Sequence, residues 1–178
     1  MAERIYHDME SCDKFNKMQA GSRRGRRSED QILKITQVIE NGFNQKKMER
    51  SVLVLLDYSA AFDTVWRQKL LLSMNEMGIP KQMIRWIASF LDNRQAKVRF
   101  GSSMSRSRCM RQGLPQGSVL SPFLFIIYIN NLASILPGSE TICMFADDVV
   151  ILVTRRLTAE AERDAQKLVD AVVVWSKE

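Results

Sequence analysis

The residues best suited to chemistry are three aspartates set against apolar runs. Asp57 closes SVLVLLD, and Asp147 and Asp148 sit inside FADDVV. His7 is the only histidine, which excludes Ser-His-Asp and Cys-His catalysis and histidine-based metal sites. Cys12, Cys109 and Cys143 show no paired spacing, so neither a disulfide framework nor a zinc site follows. Any catalysis therefore runs on carboxylates. Taken alone, an Asp pair where a chain should reverse fits an ordinary turn. Two features favour more. The apolar flanks place that turn at the mouth of a buried sheet, where uncompensated charge is costly, and a second buried-looking strand also ends in an acid. If the strands are neighbours, Asp57 and Asp147 project from the same end of the sheet. Three carboxylates that close need a cation. Mg²⁺ suits a few carboxylate oxygens combined with water and substrate phosphate, and two such ions about 3.5–4 Å apart serve phosphoryl transfer. Adjacent residues point in different directions, so one of Asp147 and Asp148 is expected to ligate and the other to support it.

Other residues near these acids carry weaker signals. Asp63, in DYSAAFD, lies across a strand-to-helix bend from Asp57 and is expected to be structural, capping the next helix. Phe62 is either core or the wall of a nucleotide pocket. QGLPQGS places two glycines, a proline and two amides before a helix, which suits close approach of a phosphate but equally an ordinary turn. The net charge is +6. From Lys81 to Arg111 there are eight basic residues and one acidic, a local +7 that exceeds the whole chain's excess. A further +3 lies in the first fifty residues, concentrated at Arg23, Arg24, Arg26 and Arg27. Basic flanks around an acidic centre suit a site that handles a polyanion; a solvated basic loop is the plainer reading.

The elements that must position these residues follow from periodicity. A chain of 178 residues fits one domain, or one with a small appendage, and its 46% hydrophobic and 26% charged content is ordinary. No apolar run is long enough to span a membrane; that around Val119 to Ile129 is interrupted and predicts a buried helix. MAERIYHDMESCDK is too polar for a secretory signal, and the first twenty residues carry no clear period. A helix is expected from Ser28, with Ser28 and Gln31 as a capping box and Ile32, Ile35, Ile39 and Phe43 on its apolar face. Ser51 to Asp57 is expected as a buried central strand. A helix follows from about Thr64, stopped by Gly78 and Pro80, and another spans Lys81 to Leu91. Ala96, Val98 and Phe100, the turn GSSMS and the return from Arg106 to Met110 predict a hairpin displaying Lys97, Arg99, Arg106 and Arg108. Ser121 and Pro122 should start a buried helix over SPFLFIIYINNLASIL. TICMFADDVVILV predicts two strands joined by the acidic pair. Thr158 to Lys177 should be a helix with Ala161, Ala165, Leu168, Val172 and Trp175 inward. The sum is an α+β arrangement of sheet and helices.

In this order the segments resemble the reverse transcriptase family, most closely its non-LTR retrotransposon (LINE-like) branch. DYSAAFD resembles motif A, QGLPQGSVLSPFLF motif B, and FADD the aspartate-pair motif C; QAGSRRGRRSEDQI is similar to the fingers motif. The likeness runs from about Gln19 to Glu178. It implies a polymerase palm, an antiparallel sheet packed on helices, with partial fingers. Residues 1–50 would be partial fingers and an N-terminal segment, and 51–178 the palm with a fingers insertion at about 64–112. The upstream fingers strands and the thumb would be absent. The implied activity is RNA-directed DNA polymerisation on an RNA template with a DNA primer and dNTP. Asp57 and Asp147 would be ligands of two Mg²⁺, with Mn²⁺ as a possible substitute, Asp148 the second acid of the pair, and the Tyr58 carbonyl an aid to one ion. Phe62 would be the steric gate, and Gln116 and Gly117 would lie along the incoming nucleotide. Arg23, Arg24, Arg26, Arg27, Lys97, Arg99, Arg106 and Arg108 would contact nucleic-acid backbone. No membrane partner is implied, and GSRRGRR would suit nuclear entry of a parent element. Three positions depart from the family: Ser22 replaces a usual phenylalanine, Arg27 a common serine, and Asn131 a frequent aspartate. The competing readings are a catalytically incompetent remnant that at most binds nucleic acid and, disfavoured by the motif B and steric-gate matches, another two-metal phosphotransferase such as a nucleotide cyclase.

Overall fold

The computed structural model describes residues 2–136 and 141–177. In chain order its elements are α1 (Ala2–Ser11), α2 (Ser28–Phe43), β1 (Arg50–Leu56), α3 (Arg67–Glu76), α4 (Lys81–Leu91), β2 (Gln95–Ala96), β3 (Arg99–Phe100), β4 (Ser103–Met104), β5 (Arg108–Cys109), α5 (Ser121–Tyr128), β6 (Thr141–Phe145), β7 (Asp148–Arg155) and α6 (Thr158–Trp175). They form two compact units. One comprises Met1–Lys14 with Ala60–Tyr128, the other Phe15–Ser59 with Ile129–Glu178.

The second unit holds the sheet, antiparallel throughout, in the order β1-β7-β6. Valine and isoleucine fill β7, and Val149, Ile151, Leu152 and Val153 are all buried, as β-branched residues in a strand paired on both sides should be. Helix α6 packs on β7 and β1. It does so through Ala161, Ala165, Leu168, Val172 and Trp175, the stripe that helical spacing predicts. At its N-terminal side, Arg155 Nε and Lys167 Nζ each donate to Asp164 at 2.9 Å, and these bonds hold the Asp164 carboxyl below its ordinary pKa. Helix α2 contacts all three strands. It lies over the face carrying Asp148, Val150 and Thr154, where a Cβ added to Gly42 would stand 3.2 Å from Thr154 Cγ2.

Several sequence expectations change here. Strand β1 is an edge, not the centre, and Leu55 is 73% exposed. A continuous apolar run signals an aptitude for burial but not a rank in the sheet, and among the described residues β1 pairs with β7 alone. Helix α2 is capped one residue earlier than expected: Asp30 Oδ2 accepts from the Arg27 main-chain N–H at 3.1 Å. Its inward side is Ile35, Val38, Ile39 and Gly42, while Ile32 and Phe43 are exposed.

The first unit is mainly helical, with two short ladders, β2 with β5 and β3 with β4. α3 packs against α4 and α5 around Leu70, Met74, Ile87, Leu91, Leu124 and Phe125. α5 is buried nearly all round, as its composition predicts, but ends at Tyr128; a short 3-10 turn, Leu132–Ser134, follows in the other unit. Ser121 does not cap it. Its hydroxyl donates to the Pro115 carbonyl at 2.6 Å instead. Helix α1 lies in a segment where no period was expected. Among its described side chains it buries Ile5, Tyr6 and Met9, with Tyr6 edge-on to Phe123, which is too sparse a pattern to stand out among polar residues.

Arg67, at the start of α3, binds this unit together. Nε donates to Gly113 O at 2.9 Å, Nη1 to Leu91 O and Met110 O at 2.7 Å each, and Nη2 to Gln112 O at 3.0 Å. Burial first, and then the nearby charge of Arg94, lower its pKa.

Candidate active site

The sheet register brings the three aspartates to one end. β1 and β7 run antiparallel to a last rung of Leu56 with Val149. Asp57 follows Leu56 and Asp148 precedes Val149, so the two acids continue the same strand pair past that rung. Phe145 pairs with Asp148, which leaves Ala146 and Asp147 as the turn. The acidic pair was expected to form the turn by itself; the reversal falls one residue earlier, and Asp148 is the first residue of β7. Asp57 and Asp148 are exposed and Asp147 is half-buried. Asp148 lines a pocket of about 150 Å³ beneath α2 with Gln31, Ile35, Cys143 and Val150, whereas Asp147 sits at the tip. The two acids therefore occupy different surroundings, as their adjacency implied.

Among the described residues no three His, Cys, Asp or Glu side chains close into a metal cage. The donor chemistry fits a hard cation nonetheless. Exposed carboxylates at an open sheet end leave room for the waters and phosphate oxygens that Mg²⁺ retains. The residue after Asp57 is held by aromatic contact, since the Tyr58 ring lies edge-on to Trp175 at 6.5 Å. Trp175 Nε1 in turn donates to Asn131 Oδ1 at 3.1 Å. Asn131, a departure from the family pattern, thus serves as acceptor for a buried indole.

The acidic turn is gripped by the start of the segment likened to the fingers motif, where Gln19 itself was given no role. Ala20 N donates to Met144 O at 2.8 Å and Met144 N to Met18 O at 3.0 Å, a parallel bridge along the outer edge of β6. Beyond it the Gln19 side chain, 1% exposed, reaches Ala146. Its Oε1 accepts from Ala146 N at 3.0 Å and Gly21 N at 2.8 Å, and its Nε2 donates to Ala146 O at 3.3 Å. Ala146 has φ +54°, a left-handed conformation that costs about 1–2 kcal/mol for a residue with a Cβ. A Cβ on Gly21 would stand 2.1 Å from Ala146 N. Gly21→Ala is therefore expected to destabilise the protein by about 1–3 kcal/mol, because backbone rather than a flexible side chain must yield; urea unfolding of the variant checks it.

Arg23 is corrected by the same segment. It is 7% exposed. Its guanidinium lies over the Phe15 ring and donates to the Asn16 and Gln19 carbonyls, so it braces this loop rather than facing a nucleic acid. Ser22 is exposed at φ +55°.

The first unit assembles a separate group. Phe62, Gln116 and Gly117 line one cleft of about 450 Å³ with Ser118, Val119 and Pro122. Phe62 stacks on Phe125 at 4.7 Å between centroids, so it is at once core and cleft wall. The loop is zipped to the end of motif A and the residues just after it: Leu114 N donates to Phe62 O at 2.7 Å, Gly113 N to Val65 O at 2.8 Å, and Gln116 Nε2 to Asp63 Oδ1 at 3.0 Å. Asp63 is structural, as expected, but it anchors Gln116 instead of capping α3.

The family described as reverse transcriptase (RNA-dependent DNA polymerase) matches residues 1–178. This chain belongs to the reverse transcriptase family. Its relatives are polymerases of non-LTR retrotransposons. The probable RNA-directed DNA polymerase from transposon BS of Drosophila melanogaster is 30% identical over 165 residues, which span 89% of this chain and 18% of that protein. The RNA-directed DNA polymerase from mobile element jockey of Drosophila funebris is 31% identical over 137 residues, 74% of this chain and 15% of that protein. The chain thus spans about a fifth or less of these relatives. Among solved structures, apo telomerase from Candida tropicalis truncated from its C-terminal domain aligns with a TM-score of 0.67 at 12% identity, covering 95% of this chain and 35% of that one. That likeness shows the fold, an α+β polymerase palm type of antiparallel sheet packed on helices.

Within this reverse transcriptase chain the segment between motifs A and B carries the basic hairpin. Two short ladders, β2 with β5 and β3 with β4, replace one continuous hairpin. Residues 95–112 are all exposed, Lys97, Arg99, Arg106 and Arg108 included. No acidic residue lies between Asp92 and Arg111. Phe100, beside the turn, is 87% exposed. Arg24, Arg26 and Arg27 are exposed as well.

Proposed function

We propose that this chain carries the nucleotide-adding centre of a retrotransposon RNA-directed DNA polymerase. The observation that carries this reading is the register of β1, β7 and β6, which sets the motif A and motif C acids at one end of a sheet in a chain of reverse transcriptase type. Asp57 and Asp147, with the Tyr58 carbonyl, would hold two Mg²⁺, and Asp148 would support from the first position of β7. When bound, such a pair activates the attacking hydroxyl and stabilises the leaving oxygen. The primer 3′-oxygen joins the α-phosphorus of a dNTP and pyrophosphate leaves. Phe62, held rigid by Phe125, would exclude a ribose 2′-hydroxyl. Gln116, tethered to Asp63, and Gly117 would lie along the nucleotide. The RNA template and DNA primer would meet the exposed cations by their phosphates, and Phe100 offers a face on which an unpaired base can stack.

Primer extension with Mg²⁺ and dNTPs on a primed RNA template tests the reading. Incorporation above that of Asp147→Asn supports it; incorporation equal to that control refutes it. A second reading is a palm that binds nucleic acid through its exposed basic residues without polymerising. It predicts the equal result with salt-sensitive RNA binding retained. Either reading predicts that changing Lys97, Arg99, Arg106 and Arg108 together to glutamine lowers the slope of log affinity against log salt for single-stranded RNA by about three, near 0.7 per lost phosphate contact. Filter binding over a salt series measures it.

A further inference from the structure

We infer that Gln19 is a positioning residue for the metal-holding turn, setting Asp147 through the main chain of Ala146; this rests on the metal reading proposed above. Gln19 lies 127 positions before Ala146, yet its side chain bonds both polar groups of that residue's main chain. A planar amide, one acceptor beside one donor, matches a peptide's N–H and C=O. Gln19 therefore does for the turn what a neighbouring strand does for a ladder. The match also continues a real ladder, since residues 18 and 20 bond Met144 on the same edge. The orientation of the amide is fixed by chemistry, because two N–H donors, from Gly21 and Ala146, converge on Oε1.

Two further observations say that this grip determines the turn. Ala146 holds φ +54° without being glycine, and such a conformation persists only where the surroundings over-determine it. Gly21 approaches Ala146 so closely that no side chain fits between them. The carbonyl that Nε2 holds belongs to the peptide whose nitrogen is Asp147's own. Fixing it limits where the Asp147 carboxylate can swing. Among the described residues the Gln19 side chain hydrogen-bonds only main-chain atoms, so it is not a catalytic residue; it acts on the metal ligand through Ala146.

The test is Mn²⁺ binding, followed by loss of the free-ion electron paramagnetic resonance signal. It compares the unaltered protein with Asp147→Asn, Gln19→Met and Gln19→Glu, at a temperature where circular dichroism shows the unaltered protein folded. Gln19→Met removes all three bonds and is expected to weaken Mn²⁺ binding about tenfold or more, as loss of outer-shell partners does elsewhere. Gln19→Glu keeps the acceptor but loses the donor to Ala146 O. Its added negative charge would by itself tighten a cation, so weaker binding by this variant identifies lost positioning rather than changed electrostatics. Folded variants that bind Mn²⁺ as well as the unaltered protein overturn the role of Gln19 alone. Unaltered protein that binds no better than Asp147→Asn overturns the metal reading and this inference with it. Failure of both Gln19 variants to fold would make the residue a determinant of folding and also overturn the role stated here.

Discussion

Asp147→Asn is expected to lower the rate of nucleotide addition at least about a thousandfold while shifting the unfolding temperature little. Asparagine has the size and shape of aspartate, and Asp147 is only half-buried at the turn tip. The grip on the turn runs through the main chain of Ala146 and not through the Asp147 side chain. No hydrogen bond or ion pair among the described residues therefore depends on the charge that is removed. The chemistry does. A carboxylate that holds a cation against a developing oxyanion contributes on the order of 4 kcal/mol to the transition state, and each 1.36 kcal/mol is a factor of ten. Asp148→Asn should lose less, because Asp148 starts β7 and lines the pocket beneath α2. Single-nucleotide incorporation rates, read beside thermal melts, check both halves of the expectation. Equal rates for Asp147→Asn and the unaltered protein would remove Asp147 from the mechanism.

The largest loss of stability is expected at Arg67. Its guanidinium serves four main-chain carbonyls, one at the end of α4, one just after β5 and two at the start of motif B. Hydrogen bonds to a charged group contribute about 1.5–3 kcal/mol each when shielded. Two of these four reach exposed carbonyls that water can serve, so the sum is well below four such bonds. Arg67→Leu should destabilise the protein by about 3–4 kcal/mol. Arg67→Lys should recover little of it, since an ammonium cannot present a planar fork to carbonyls on several sides. Urea unfolding of both variants decides the matter; a lysine variant as stable as the unaltered protein would show that charge alone, rather than the fork, holds these segments.

How far the sequence disclosed this molecule depended on the range of the interactions involved. Helix α4 and the inward face of α6 were legible because a helix buries residues at a spacing visible within a dozen positions. The acids were legible because strand ends and a turn are local too. What failed was relational. Nothing in SVLVLLD distinguishes a central strand from an edge, because rank in a sheet is set by partners elsewhere in the chain. The turn slipped by one residue because Ala146, an improbable left-handed residue, is held there by Gln19 from 127 positions away. Arg23 looked like its exposed neighbours, and only Phe15 and two carbonyls gathered around it show otherwise. Asp63 likewise needed Gln116 to reveal what it anchors.

The sheet order has a mechanical consequence for the acids. β7 is bonded along both sides from Val149 to Leu152, and at its first residue, Asp148, the β6 ladder alone continues. β1 is bonded along one side, and Asp57 lies just past its last rung. The three carboxylates are thus carried on mounts of unequal stiffness. Asp148 stays on a rung of the sheet, with Asp147 in the turn that this rung closes, while Asp57 lies beyond the last rung of its own strand and is steadied by the Tyr58–Trp175 contact beside it.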